Sequence, residues 1–124
     1  MENEFELKAD LHTDTKFDMA FMKYHQINPH VFETFCYYAR QLIVTNCRKT
    51  SGWLIVNRMR WESLINGVQA DDYKFPNDYI GVYTRAFSIM FPHHRNLFAY
   101  KSTKRDLDKL AEWLVKDMIR RDGK

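Results

Sequence analysis

TSGWLIVNRMRWESLING, residues 50–67, is the stretch on which the architecture turns. Ser51 is placed to cap a helix and Gly67 to end it, so the spacing predicts a helix from 51 to about 66. At about 100° per residue, Trp53, Leu54, Trp61, Leu64 and Ile65 gather on one side of that helix, and Ile55, Val56 and Met59 lie opposite. A helix apolar on two sides reads as a central helix packed between neighbours. Two narrow polar slots remain. Arg58 shares one with Glu62 at i,i+4, and Arg60 shares the other with Asn57 and, farther round, Ser63. The expectation is that Arg58 is at least half covered and paired with a carboxylate. Arg60 either snorkels to water or meets an acid from another element.

Working towards the N-terminus, "CRKTSG" breaks the pattern. Before it, Asn28 caps a helix and Pro29 takes its first position, where the missing N–H costs nothing. That helix runs to about Arg48, with Val31, Phe32, Phe35, Tyr38, Ala39, Leu42 and Ile43 on one face. An earlier helix, capped by Thr13 or Asp14, carries Phe17, Ala20, Phe21 and Tyr24 and stops near Ile27, because the residue before a proline avoids helical geometry. Residues 1–13 show no sustained period and read as a flexible arm, or as one short strand around Phe5–Leu7; residues 14–121 form a single globular helical domain.

Working towards the C-terminus, "VQADDYKFPND" is the least helical interior stretch, with a strand expected near 71–75. Asn77 or Asp78 then caps a helix with Tyr79, Tyr83, Ala86 and Met90 in a stripe and Thr84, Arg85 and Ser88 as its polar back; Pro92 ends it. "NLFAYKS" reads as a second strand, 97–101, pairing with the first. Thr103-x-x-Asp106 resembles a capping box and opens a last helix with Leu107, Leu110, Ala111, Leu114, Val115, Met118 and Ile119 on one face. The fold class is therefore mainly α: a compact bundle of about five helices with a small β-hairpin, like a helix-turn-helix or winged helix.

Composition narrows the function. A chain of 124 residues is one domain by default and long enough to bury a core unaided. Net charge is +3, a mild excess rather than the block of basic residues that signals nucleic acid on charge alone. There is no apolar leader and no run that would span a membrane, and the two cysteines need not pair, so the expected location is the cytoplasm.

No catalytic, metal or cofactor signature emerges. His93 and His94 are neighbours that point different ways with no third ligand at a diagnostic spacing. His25 could serve as a general base only with a nucleophile or pocket in view. Cys36 sits among aromatics, as a small core residue does. Four glycines make no phosphate loop.

A basic rim is left. Arg48, Lys49, Lys101, Lys104 and Arg105 fall at element ends and could touch phosphate, with Arg58, Arg60 and Arg85 as closer contacts. If residues 49–52 are the turn of a helix-turn-helix, the following helix is the reader. Its first residues, Trp53 to Val56, are poor base readers, though Asn57 and Arg58 could reach base edges. Trp113, off the apolar stripe of the last helix, and Arg120 and Arg121 at its end suggest instead a protein contact, including a homodimer through that helix.

"HQINPHVFETF", "IVNRMRWES" and "YKFPNDYIGVYTRAF", with the Pro-then-Phe that follows, resemble a family of small uncharacterised phage and prophage proteins over residues 17–100. The shared order is an Asn-Pro-His-Val helix start, an Arg-Trp in the next long helix and a Tyr-x-Arg helix. "YKFPND" departs from the family's Asn-rich form, and the last helix lies outside the shared region. The resemblance implies a regulator, a replication accessory or an inhibitor of host machinery. The expectation is thus a non-enzymatic binding protein without cofactor, DNA-associated through the basic rim, or else an inhibitor or adaptor acting on a host or phage protein. A protein contact requires a contiguous apolar patch around Trp113 or Trp61.

Overall fold

The computed structural model describes residues 15–67, 77–99 and 106–122. Among them are five α-helices: α1 (Thr15–Ile27), α2 (Pro29–Val44), α3 (Gly52–Ile65), α4 (Ile80–Met90) and α5 (Asp108–Asp122). Short 3-10 turns, Asn77–Tyr79 and Pro92–His94, bracket α4. The mainly helical bundle is as the periodicity implies. The arm 1–13, the strand 71–75 and the rim residues Lys101, Lys104 and Arg105 lie outside the described residues.

Pro29 opens α2 as expected, but Asn28 does not cap it with its side chain; its Nδ2 instead donates back to the Tyr24 carbonyl at 3.1 Å. The helix also ends at Val44, four residues short of Arg48. Asn46 sits in left-handed geometry at φ 68°. The Cys47 N–H bonds the Leu42 carbonyl at 2.9 Å, and the Asn46 N–H bonds that of Ile43 at 2.9 Å. This pair of bonds is the Schellman closure, with asparagine in the glycine position. Arg48 and Lys49 therefore belong to a connection, residues 45–51, longer than a helix-turn-helix turn.

Ser51 caps α3: its Oγ accepts the Leu54 N–H at 3.2 Å. Gly67, at φ 92°, ends the last turn as expected. At α5 the cap is Asp106, whose Oδ1 accepts the Asp108 N–H at 3.1 Å. The Thr103 half of the expected capping box lies outside the described residues.

The central helix is α4, not α3. It packs on α2, α3 and α5, and Ile80, Val82, Tyr83, Ala86 and Phe87 are buried. Its expected polar back is covered too. Thr84 is buried, and the Arg85 side chain, 14% exposed, donates to the Gly81 carbonyl at 2.9 Å and to Asp108 at 3.3 Å. Gly52 explains how α3 approaches so closely. A Cβ there would lie 2.5 Å from Ile80 Cγ2 and 2.8 Å from Thr84 Cγ2. The core is aromatic: Tyr83 meets Phe32 and Phe35, and Phe98 meets Phe35 and Phe87, with ring centres 5.4–5.6 Å apart.

The described residues contain no strand. Residues 97–98 are drawn into the core, where Leu97 and Phe98 are buried. Thr50 N–H bonds the Leu97 carbonyl at 2.8 Å, and Thr50 and Phe98 form one isolated parallel bridge. The expected hairpin partner, 71–75, is outside the described residues. Among the described residues, no helix is long and apolar enough to cross a membrane.

Candidate protein-binding surface

α3 has two apolar faces and the bundle covers only one of them. Gly52, Ile55, Val56 and Met59 are buried. On the other face, Trp53 is 49% exposed and Trp61 60%, and Leu54, Leu64 and Ile65 are each more than half exposed. These residues and Asn57 lie within about 120° of the helix circumference. With two tryptophans of up to about 250 Å² each, the stripe presents roughly 500 Å² of apolar surface, at the upper end of what a solvated monomer shows.

The edges of the stripe are charged and ordered. Arg58 pairs with Glu62 at 2.8–2.9 Å and lies over the Tyr38 ring, 5.2 Å from its centre. The expected carboxylate is there. The coverage falls slightly short, since 55% of the Arg58 side chain is exposed. Arg60, on the other edge, donates to Asn57 at 3.4 Å and to Asn77 at 3.1 Å, tying α3 to the turn before α4.

Of the residues expected to touch phosphate, Lys101, Lys104 and Arg105 lie outside the described residues. Arg58, Arg60 and Arg85 are engaged within the fold. Arg48 and Lys49 are exposed. A cleft of about 310 Å³ is lined by Asn46, Cys47, Arg48, His93, His94 and Asn96, with Ile43 and Leu97, and no acid among the described residues lines it. Among the described residues no group of three or more His, Cys, Asp or Glu is arranged to hold a metal ion.

Trp113 is not the exposed anchor expected of it. It is half-buried, edge-on to Phe21 at 6.4 Å and to His25 at 5.6 Å. Of the apolar stripe of α5, only Ile119 is exposed, so that helix offers little face for a dimer. Arg120 and Arg121 both bond the Asp117 carboxylate, Arg121 at 2.6 Å. The other partner of Asp117 is His25, fully buried, whose Nε2–H donates to Oδ2 at 2.7 Å.

Burial lowers the His25 pKa from its ordinary 6.5, and the hydrogen bond and charge of Asp117 only partly offset this. The ring is held neutral, consistent with an Nδ1 that has no hydrogen-bond partner, since a bare lone pair costs less than a bare, charged N–H. Burial raises the Asp117 pKa, but hydrogen bonds from Arg121 and His25 outweigh it and hold the carboxyl below the usual range. The dyad is an interior strut between α1 and α5 with no access for a substrate. Cys36 is likewise buried, its thiol pushed up to about 12 by desolvation, which leaves it without nucleophilic thiolate at neutral pH.

Sequence reasoning grouped the α3 residues correctly but placed them inside. It missed Asp117, whose signal was position: it falls between Leu114 and Met118 in an apolar stripe, where an acid demands a partner. Compared with protein-family models, curated proteins and solved structures, the chain matches none.

Proposed function

We propose that the protein acts by binding another protein, as an inhibitor or adaptor, through the outer face of α3. One observation carries this reading: Trp53, Leu54, Trp61, Leu64 and Ile65 stand exposed on a single helix face whose opposite side is core. Tryptophans flanked by aliphatics and rimmed by arginines have the make-up of a binding hot spot. Burial of His25 and Cys36 supports a non-enzymatic role. The phage-type resemblance, with the bacterial cytoplasm as its setting, fits a small protein that works by occupying a partner.

A photo-cross-linking amino acid placed at Leu64, with Glu112 as the control position, tests this in cells. Discrete adducts from position 64 that vanish when Trp53 and Trp61 are changed to alanine are expected. No adduct, or the same adducts from position 112, would sink it.

Contact with DNA phosphate is the second reading, and the cleft lined by Arg48, His93 and His94, with no acid among its described lining residues, favours it. A winged-helix arrangement would need residues 97–101 paired with 71–75. Fluorescence anisotropy with a generic labelled duplex at two salt concentrations decides the matter. Binding that weakens steeply with salt supports phosphate contact; no binding at low salt removes it.

A further inference from the structure

We infer that the outer face of α3 is closed by a second copy of the same chain, in an antiparallel two-fold pairing centred on Met59. This inference rests on the reading of that face as a protein-binding surface and makes its resting occupant a second copy, which a host or phage protein would have to displace.

The pattern of the face is the first support. Counted from Met59, Trp53 and Ile65 stand six residues away on either side, Leu54 and Leu64 five, and Asn57 and Trp61 two. A two-fold interface must be self-complementary, because the same patch serves both partners. Laid antiparallel, the N-terminal half of one stripe covers the C-terminal half of the other. Trp53 then faces Leu64 of the second copy, Leu54 faces Ile65, and the two Trp61 rings flank the axis beside Asn57. Trp53 thus meets an aliphatic side chain, and the two Trp61 rings meet each other across the axis, as aromatic pairs do.

Charge is the second support. In an antiparallel pair related by such an axis, each edge meets the same edge of the partner. Arg58 sits one residue before the centre and Glu62 three after it. The second copy's Glu62 is therefore offset from Arg58 by only about 3 Å along the helix axis, within reach of two long side chains across the roughly 8–10 Å between helix axes. The existing Arg58–Glu62 pair, on an exposed edge with Arg58 stacked over Tyr38, becomes one half of a four-membered network with two charges of each sign. Arg60, on the opposite edge, is engaged by Asn57 and Asn77.

Area is the third. Roughly 500 Å² of apolar surface per copy, with the polar edges added, approaches the ~800 Å² per partner of a specific interface.

Sedimentation velocity over a range of micromolar concentrations is the test, combined with charge variants on the same edge. The wild-type chain is expected to reach twice the monomer mass. Leu64→Glu changes an exposed residue, keeps the far-UV circular dichroism of the helices and leaves a monomer. Arg58→Glu makes the edge wholly acidic and Glu62→Arg makes it wholly basic. Each alone weakens self-association by about tenfold, as like charges meet, while an equimolar mixture restores the dimer. Rescue by mixing is a readout that loss of the pair within one helix would not produce.

A wild-type chain that stays monomeric overturns the inference, as does a dimer indifferent to Leu64→Glu or a mixture that fails to rescue. The adduct mass from the position-64 cross-linker separates the two readings. Twice the chain mass supports self-pairing; a different mass leaves protein binding standing and removes the second copy; no adduct removes both.

Discussion

His25 and Asp117, 92 residues apart in sequence, meet through a 2.7 Å hydrogen bond in the interior, where α1 is strapped to α5. The histidine is held neutral by burial and the aspartate charged by Arg121 and His25. This makes the fold sensitive to acid. The folded-state pKa of His25 lies below its unfolded value of 6.5, so the unfolded chain binds more protons in between. The stability contributed is complete above pH 6.5 and is lost as the pH falls through the folded pKa. Asp117, held below 3.8, adds a loss of the same sign only at still lower pH. Urea midpoints measured from pH 8 down to pH 5 should decline in the wild type and stay nearly level in His25→Gln. A wild-type midpoint that rises on acidification would show that His25 gains protons in the fold.

Removing the acid is more damaging than removing an exposed arginine. Asp117→Asn leaves His25, Arg120 and Arg121 without their shared carboxylate and should cost about 3 kcal/mol, the scale for breaking a buried pair. Arg58→Ala, at a solvated i,i+4 pair, should cost less than about 1 kcal/mol. Chemical denaturation of both variants at neutral pH makes the comparison, and equal costs would contradict the burial seen here.

Helix contact fixes Gly52. Gly52→Ala forces a Cβ against methyl groups of Ile80 and Thr84 at 2.5 and 2.8 Å, an overpacking expected to cost about 1–3 kcal/mol. Gly81→Ala meets the ends of Leu107 and Arg85 at 2.8 and 3.2 Å, which can yield. Its thermal midpoint should fall by less than that of Gly52→Ala.

Asn46 holds the left-handed closure of α2 at φ 68°. Asn46→Gly should raise stability by a few tenths of a kcal/mol, and Asn46→Ala should lower it by about 1 kcal/mol, because a Cβ without a local polar partner resists that geometry. Opposite shifts in thermal midpoint are the expected result, and a fall in both would show that the asparagine side chain itself is needed.

Local chemistry was legible in the sequence. Asn28-Pro29, Ser51, Gly67 and Pro92 mark real helix boundaries because each acts on its own backbone. Arg58 and Glu62 could be paired from their spacing alone. The Asn46 closure was missed because asparagine in a helical run is ambiguous until its φ is known. The larger error, taking α3 for the central helix, has a physical root. A helix apolar on both faces has no preferred side, so periodicity cannot say which face meets the core. That is settled by how closely a neighbour can approach, and Gly52 and Thr84 let α4 come in on one side only. The His25–Asp117 strut depends on two helices at opposite ends of the chain, and Asp117 announced only that it needed a partner.

The two faces of α3 interleave in sequence, yet one is buried and the other exposed. Gly52, Ile55, Val56 and Met59 answer to the core; positions 53, 54, 57, 61, 64 and 65 answer to whatever lies outside. Substitutions among the outer six therefore alter what the helix recognises while leaving the core that the inner four hold undisturbed. For protein engineering, α3 is a replaceable recognition strip on a scaffold that need not be redesigned with it.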